Sequence, residues 1–129
     1  FMQRTYDLLR EIGVPDTRIH AEAFGPAALV REGAEPPAPE ADEAELVFAR
    51  SGVKAVWRPA DGTVLEVAEA AGVAIESGCR AGACGTCAVA LTAGRLTERL
   101  PERADTKAGE ILACCRVPAA GTEPVVLEI

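Results

Sequence analysis

Residues 77–91 read SGCRAGACGTCAVAL, three cysteines inside nine residues at the spacing C-x4-C-x2-C, padded with glycine and alanine. Some thirty residues later stands an adjacent pair, Cys114 and Cys115. Five cysteines are an odd number for a disulfide framework, and in a reducing compartment such clusters more often bind metal than pair with each other. The spacing therefore predicts a backbone wrapped tightly round something that four thiolates hold. Gly78, Gly82 and Gly85 keep Cβ atoms out of the way and permit positive φ, and Ala81 and Ala83 are the next smallest residues. In a loop this bare, backbone N–H groups, helped by the hydroxyls of Ser77 and Thr86, are placed to point at sulfur. Arg80 sits between ligands, where its charge could steer a partner or simply be solvated.

A C-x4-C-x2-C run with a distant fourth cysteine is the spacing of plant-type 2Fe–2S clusters. Two rivals fit less well. A structural zinc site usually presents paired C-x2-C knuckles, and only Cys84 and Cys87 form one. A Rieske centre needs two histidines, and His20 is the only one, far from the loop and read as an ordinary strand residue. The fourth ligand is open between two neighbours. Read as a strand, "ILACCRV" turns Cys114 and Cys115 to opposite faces, so one alone faces the cluster. The L-x-C pattern of Leu112 and Cys114, with Pro118 beyond it, favours Cys114. Cys115 is then a buried small residue or a redox-sensitive thiol.

Charge excludes more than it assigns. The formal net charge is −7, and residues 1–44 carry 4 basic and 9 acidic groups (net −5) against 9 and 11 in residues 45–129 (net −2). No basic stripe exists to neutralise phosphates, so nucleic acid is not an expected partner. No apolar run approaches the ~18 residues of a membrane span. Arg4, Asp7, Arg10 and Glu11 interrupt any leader-like start, and a soluble cytoplasmic location is expected. No nucleophile–base pair or carboxylate dyad is present, so no catalytic residue is nominated.

Along the chain, Met2, Tyr6 and Leu9, widened by Leu8 and Ile12, predict a helix ended by Gly13 and Pro15. Alternating Ile19, Ala21 and Ala23 suit a short strand over Arg18–Phe24. Residues 26–44, with Pro36, Pro37 and Pro39 among acids, read as a linker. Beyond it come two strands about the turn Ser51-Gly52, then a helix from the N-cap Thr63 to the stop Gly72. The cysteine loop comes next and runs into a strand at 87–94, with two further strands at Ile111–Val117 and Pro124–Ile129. Trp57 is read as packing rather than an electron relay. The mixed charges of Glu98, Arg99, Glu102, Arg103 and Asp105 are read as a solvated face open to an acceptor. The fold class is α+β.

"CRAGACGTC" followed by "ILAC" resembles the plant-type 2Fe–2S ferredoxin domain over about Leu46 to Ile129. That resemblance implies a β-grasp fold, a mixed sheet crossed by one helix. It implies cluster ligation by Cys79, Cys84, Cys87 and Cys114, and one-electron transfer. "FM" with its helix and "GVPDTRIHAEAFG" resemble the last helix and strand of the nucleotide-binding domain in ferredoxin–NADP-reductase-like flavoproteins. Together they imply the carboxy-terminal end of a flavin reductase: residues 1–25 a remnant of the NAD(P)H-binding domain, 26–44 a linker and 45–129 the ferredoxin domain. FAD or FMN and NAD(P)H would belong to the remainder. The implied partners are that reductase domain in cis and an acceptor redox protein or oxygenase. Two other classes stay open: an independent carrier ferredoxin, and a non-redox zinc domain.

Overall fold

The computed structural model describes residues 1–21, 29, 33 and 35–129, which divide into two compact units, Phe1–Pro36 and Pro37–Ile129. In the first, helix α1 (Met2–Glu11) buries Tyr6, whose hydroxyl donates to Asp16 Oδ1 at 2.8 Å. The helix ends as its sequence predicts. Gly13 takes φ +88°, its N–H donates to the Arg10 carbonyl, and the Val14 N–H donates to that of Leu9. This pair of bonds is a Schellman closure, which satisfies carbonyls the helix leaves open.

The strand expected over Arg18–Phe24 does not form in its described part, residues 18–21. Asp16–Arg18 form a 3-10 turn closed by Arg18 N–H on the Pro15 carbonyl at 2.9 Å, and Ile19 is buried without a strand assignment. A strand needs a ladder partner, and among the described residues this unit offers none; residues 22–24 lie outside them.

The second unit is built on a five-stranded mixed sheet. Its strands are β1 (Ala44–Phe48), β2 (Val53–Trp57), β3 (Ala88–Ala93), β5 (Glu110–Leu112) and β7 (Val125–Leu127), in the order β2-β1-β7-β3-β5. β1 and β7 run parallel and every other pair antiparallel. A two-stranded ribbon, β4 (Leu96–Glu98) with β6 (Arg116–Pro118), stands apart. Helix α2 (Val64–Ala70) packs Val64, Leu65, Val67 and Ala68 into one core with Leu46, Phe48, Trp57, Leu112, Val125 and Leu127. Each large side chain so buried contributes about 1.5–3 kcal/mol. This is the expected α+β β-grasp arrangement.

Helix α2 is bracketed by Thr63 and Gly72. The Thr63 backbone N–H donates to Glu66 Oε2 at 2.7 Å, one arm of a capping box. At the other end Gly72 (φ +78°) donates to the Glu69 carbonyl and Val73 to that of Ala68, a second Schellman closure. The helix thereby releases the chain into the cysteine loop at a fixed point.

Two local expectations fail. Ile111–Val117 is not one strand: β5 stops at Leu112, Ala113–Cys115 form a turn, and β6 pairs in the other sheet. Its apolar run reads as a strand because both halves are buried, while the Leu112 carbonyl accepting the Cys115 N–H (2.9 Å) closes the turn. The folded unit also starts at Pro37 rather than Glu45. Ala41 N–H donates to the Pro118 carbonyl (2.9 Å), Ala120 N–H to that of Pro39 (2.8 Å) and the Thr97 hydroxyl to that of Ala38 (2.6 Å). Residues 37–43 are thus a strap bonded to the β4–β6 region, with Glu40 paired to Arg99.

Candidate iron–sulfur site

The loop from Val73 to Cys87 joins α2 to β3 and carries three of the thiols; the fourth lies on the β5–β6 turn. The four nominated sulfurs fall into two pairs of opposite character. Cys79 and Cys84 are exposed, and each sulfur accepts the other residue's backbone N–H at 3.4 Å. Cys87 and Cys114 are buried, with their sulfurs 3.3 Å apart. The buried pair is fixed by backbone bonds: Ala113 N–H to the Cys87 carbonyl (3.1 Å), and Leu65 N–H on α2 to that of Ala113 (3.0 Å). Among the described residues, no three His, Cys, Asp or Glu side chains converge on a single ion.

The small residues do what a close wrap demands. A Cβ on Gly78 would lie 3.1 Å from Cys84 Sγ. Gly82 has φ +72° and would set its Cβ 2.6 Å from the Pro101 carbonyl oxygen. Gly85 is also left-handed, at φ +75°. Backbone N–H groups of Ala81 and Ala83 reach Cys79 Sγ at 3.4 and 3.3 Å, and the Thr86 hydroxyl reaches Cys84 Sγ at 3.2 Å. Ser77 does otherwise: its oxygen takes the Arg80 guanidinium at 3.3 Å rather than a sulfur. Arg80, the one non-glycine residue with positive φ (52°) among the described residues, is tied to Glu69 on α2 with Nη1 3.0 Å from Oε2. That anchor holds a backbone conformation that L-residues seldom adopt.

The environment separates the thiols electrostatically. The Cys79 N–H, then the Thr86 hydroxyl, draw the Cys84 thiol down to about 6. Burial pushes Cys87 up to about 11 and raises Cys115 as well. The donors round Cys84 therefore favour its thiolate, the form that ligates iron. At Cys87, metal binding must displace the proton that burial favours.

The stretch between β4 and β5, read from sequence as a charged surface, covers the loop instead. Arg103 and Ala104 N–H groups donate to the Gly82 carbonyl at 2.9 and 2.8 Å. Glu102 accepts from Leu112 N–H (3.0 Å) and from both arms of Arg116 (2.8 and 2.9 Å), in a part-buried pair. Trp57 is fully buried, its indole N–H on the Gly62 carbonyl at 2.7 Å, which makes it a core residue. Cys115 sits fully buried with its sulfur 3.6 Å from Cys114 Sγ. Sequence reasoning missed that contact because a strand reading put the two side chains on opposite faces.

Residues 48–119 match the family described as "2Fe-2S iron-sulfur cluster binding domain". The chain belongs to that family. Relatives of this 2Fe–2S domain include the stachydrine N-demethylase reductase subunit Stc4 of Rhizobium meliloti, 38% identical over 92% of this chain and 35% of that protein. The glycine betaine monooxygenase reductase subunit of Pseudomonas aeruginosa is 34% identical over 92% of this chain and 36% of its own length. Among solved structures, phthalate dioxygenase reductase, described as modular for electron transfer from pyridine nucleotides to [2Fe-2S], superposes with a TM-score of 0.61 and 27% identity. It covers 98% of this chain, which spans 37% of that one. The chain thus spans about a third of the length of the curated relatives it matches. It is a 2Fe–2S domain of the kind found in reductase components of oxygenase systems, a one-electron carrier. No helix among the described residues is long and apolar enough to cross a membrane.

The donor set fits the cluster. A [2Fe–2S] unit takes four cysteine thiolates, two to each iron, and four sulfurs arranged as two pairs match that demand. A mononuclear zinc site would ask all four for one tetrahedral nest.

Proposed function

We propose that Cys79 and Cys84 hold one iron and Cys87 and Cys114 the other, and that the intact protein passes electrons from NAD(P)H through a flavin to this domain and on to an oxygenase. The observation that carries the reading is the pairing of the sulfurs, one exposed pair ringed by N–H donors and one buried pair set in the sheet's end. When bound, the cluster supplies a site for one electron at a time.

The chain's residues govern how that charge is met. The N–H groups of Ala81, Ala83 and Cys84 and the Thr86 hydroxyl lie round the exposed sulfurs, where they offset added negative charge. Cys87, Cys114 and the core beneath them keep water from the inner side. Exposure of Cys79 and Cys84 leaves the outer side open to an electron donor or acceptor protein.

Residues 1–25 are read as the end of an NAD(P)H-binding reductase domain joined in cis. The 98% coverage of this chain by phthalate dioxygenase reductase, across both compact units, supports that reading. The acceptor is read as an oxygenase component, by likeness to relatives named as the reductase subunits of an N-demethylase and of a monooxygenase; the site of action is read as the cytoplasm.

Visible absorption of the purified chain and low-temperature EPR after dithionite reduction test the cluster directly. A red-brown protein with a rhombic S = ½ signal after one-electron reduction is expected. A colourless protein holding one zinc would overturn the reading.

A further inference from the structure

The β5–β6 turn carries a second thiol, which the ligand set does not use. Cys115 Sγ is fully buried, 3.6 Å from Cys114 Sγ and 3.9 Å from the Pro101 carbonyl oxygen. Its backbone is fixed on both sides. The N–H donates to the Leu112 carbonyl at 2.9 Å, and the carbonyl accepts from Arg99 and Leu100 at 2.8 and 3.2 Å. The side chain has little room to turn away, because the backbone of Gly82 closes over it: a Cβ there would stand 2.7 Å from the Cys115 sulfur.

With Cys87 and Cys114 both holding iron, neither keeps its proton. Cys115 then carries the one remaining thiol proton of the three, and burial in apolar surroundings keeps it there. Two acceptors lie in reach, and the nearer is Cys114 Sγ. As an iron-bound thiolate that sulfur is acceptor-only and negatively charged, which strengthens a hydrogen bond made to it.

We infer that the Cys115 thiol donates a hydrogen bond to the Cys114 sulfur and thereby raises the reduction potential of the cluster. Cys115 forms no bond to iron; it is a tuning residue that acts through Cys114. The proton stays on Cys115 throughout, and the bond strengthens as the added electron increases charge on the ligand sulfurs. The inference rests on Cys114 being the fourth ligand.

The test is the midpoint potential, followed by EPR-monitored titration, in Cys115→Ala and Cys115→Ser. Loss of one such bond is expected to shift the reduction equilibrium roughly fivefold toward the oxidised form, which is about 40 mV lower for one electron. Cys115→Ser keeps a donor and is expected to hold the potential at or above that of the unaltered chain. Where the alanine chain takes up no cluster, Cys115→Val takes its place with the same lowered potential expected. An unchanged potential in either donor-free variant overturns the inference. So does loss of the cluster in all three variants, serine included, which would make Cys115 a packing residue. Cys114→Ser is the control for the underlying assignment and should alter the EPR line shape or abolish the signal. Were it to leave the signal untouched while the Cys115 variants abolish it, the ligand assignment would have failed, and the inference with it.

Discussion

A Cβ built on Gly82 lies 2.6 Å from the Pro101 carbonyl oxygen and 2.7 Å from Cys115 Sγ, on a backbone whose φ is +72°. Alanine there meets two penalties, the left-handed conformation at about 1–2 kcal/mol and a collision with backbone that cannot swing aside. The Gly82 carbonyl accepts two N–H groups from the covering segment, so a shift at this residue also loosens that cover. Gly78 is different: its Cβ would stand 3.1 Å from a single side-chain atom, Cys84 Sγ, with φ outside the left-handed range. Gly82→Ala is therefore expected to lose most of its cluster, read as visible absorbance per protein, and Gly78→Ala to keep a larger share. Equal occupancy in the two would show that the loop gives way more easily than its contacts imply. The residue types at this scale were legible, since C-x4-C-x2-C and bare glycines state their chemistry openly. The position of Cys115 was not, because only the turn at Ala113–Cys115 brings its sulfur beside Cys114.

At the level of elements, the helices announce their ends and the short strands do not. Gly13 and Gly72 close α1 and α2 because a left-handed residue is needed there, and Thr63 with Glu66 opens α2. β4, three residues long, has no alternating run to betray it, and β5 and β6 merge into one apolar stretch on paper. What separates them is tertiary. The strap at residues 37–43 and the segment between β4 and β5 hold this end of the unit together through two part-buried ion pairs, Glu40–Arg99 and Glu102–Arg116. The Arg99 guanidinium beside Glu40 holds its carboxyl below the usual carboxylate range. For Glu102 burial pushes the other way, and Arg116 with the Leu112 N–H outweighs it, so that carboxyl is lowered too. Both groups bind protons more weakly folded than unfolded. The stability they add is present above the ordinary carboxylate range, near pH ~4.3, and is lost as pH falls through the lower folded values. Denaturant melts across pH 3 to 7 should show a stability loss on the acid side that becomes shallower in Glu40→Gln. An identical acid limb in that variant would remove Glu40 from the account.

For the whole molecule, the division at Pro36 and Pro37 falls inside the stretch that composition reads as one linker. Composition alone makes residues 26–44 a single acidic tether, since proline and glutamate carry no sign of packing. The bonds from Ala38, Pro39 and Ala41 to Thr97, Ala120 and Pro118 assign the second half to the folded unit. Ala41 and Ala44 lie in its core. In a reductase joined in cis, a tether raises the effective concentration of the 2Fe–2S domain near its flavin, and its length limits how far that domain can travel toward an acceptor. Two deletions separate these roles. Removing residues 27–33 is expected to leave the cluster and the stability of the Pro37–Ile129 unit intact while slowing electron delivery from NAD(P)H to the acceptor. Removing residues 38–41 is expected to lower the unit's melting temperature and its cluster content, because it strips the strap from β6 and unpairs Arg99. Delivery rates by stopped flow in a protein that carries the proposed reductase domain, set against melting curves of the same proteins, distinguish the two. If shortening 27–33 leaves delivery unchanged, the swing of the domain is not part of how electrons leave, and the exposed pair Cys79 and Cys84 meets its acceptor where it already stands.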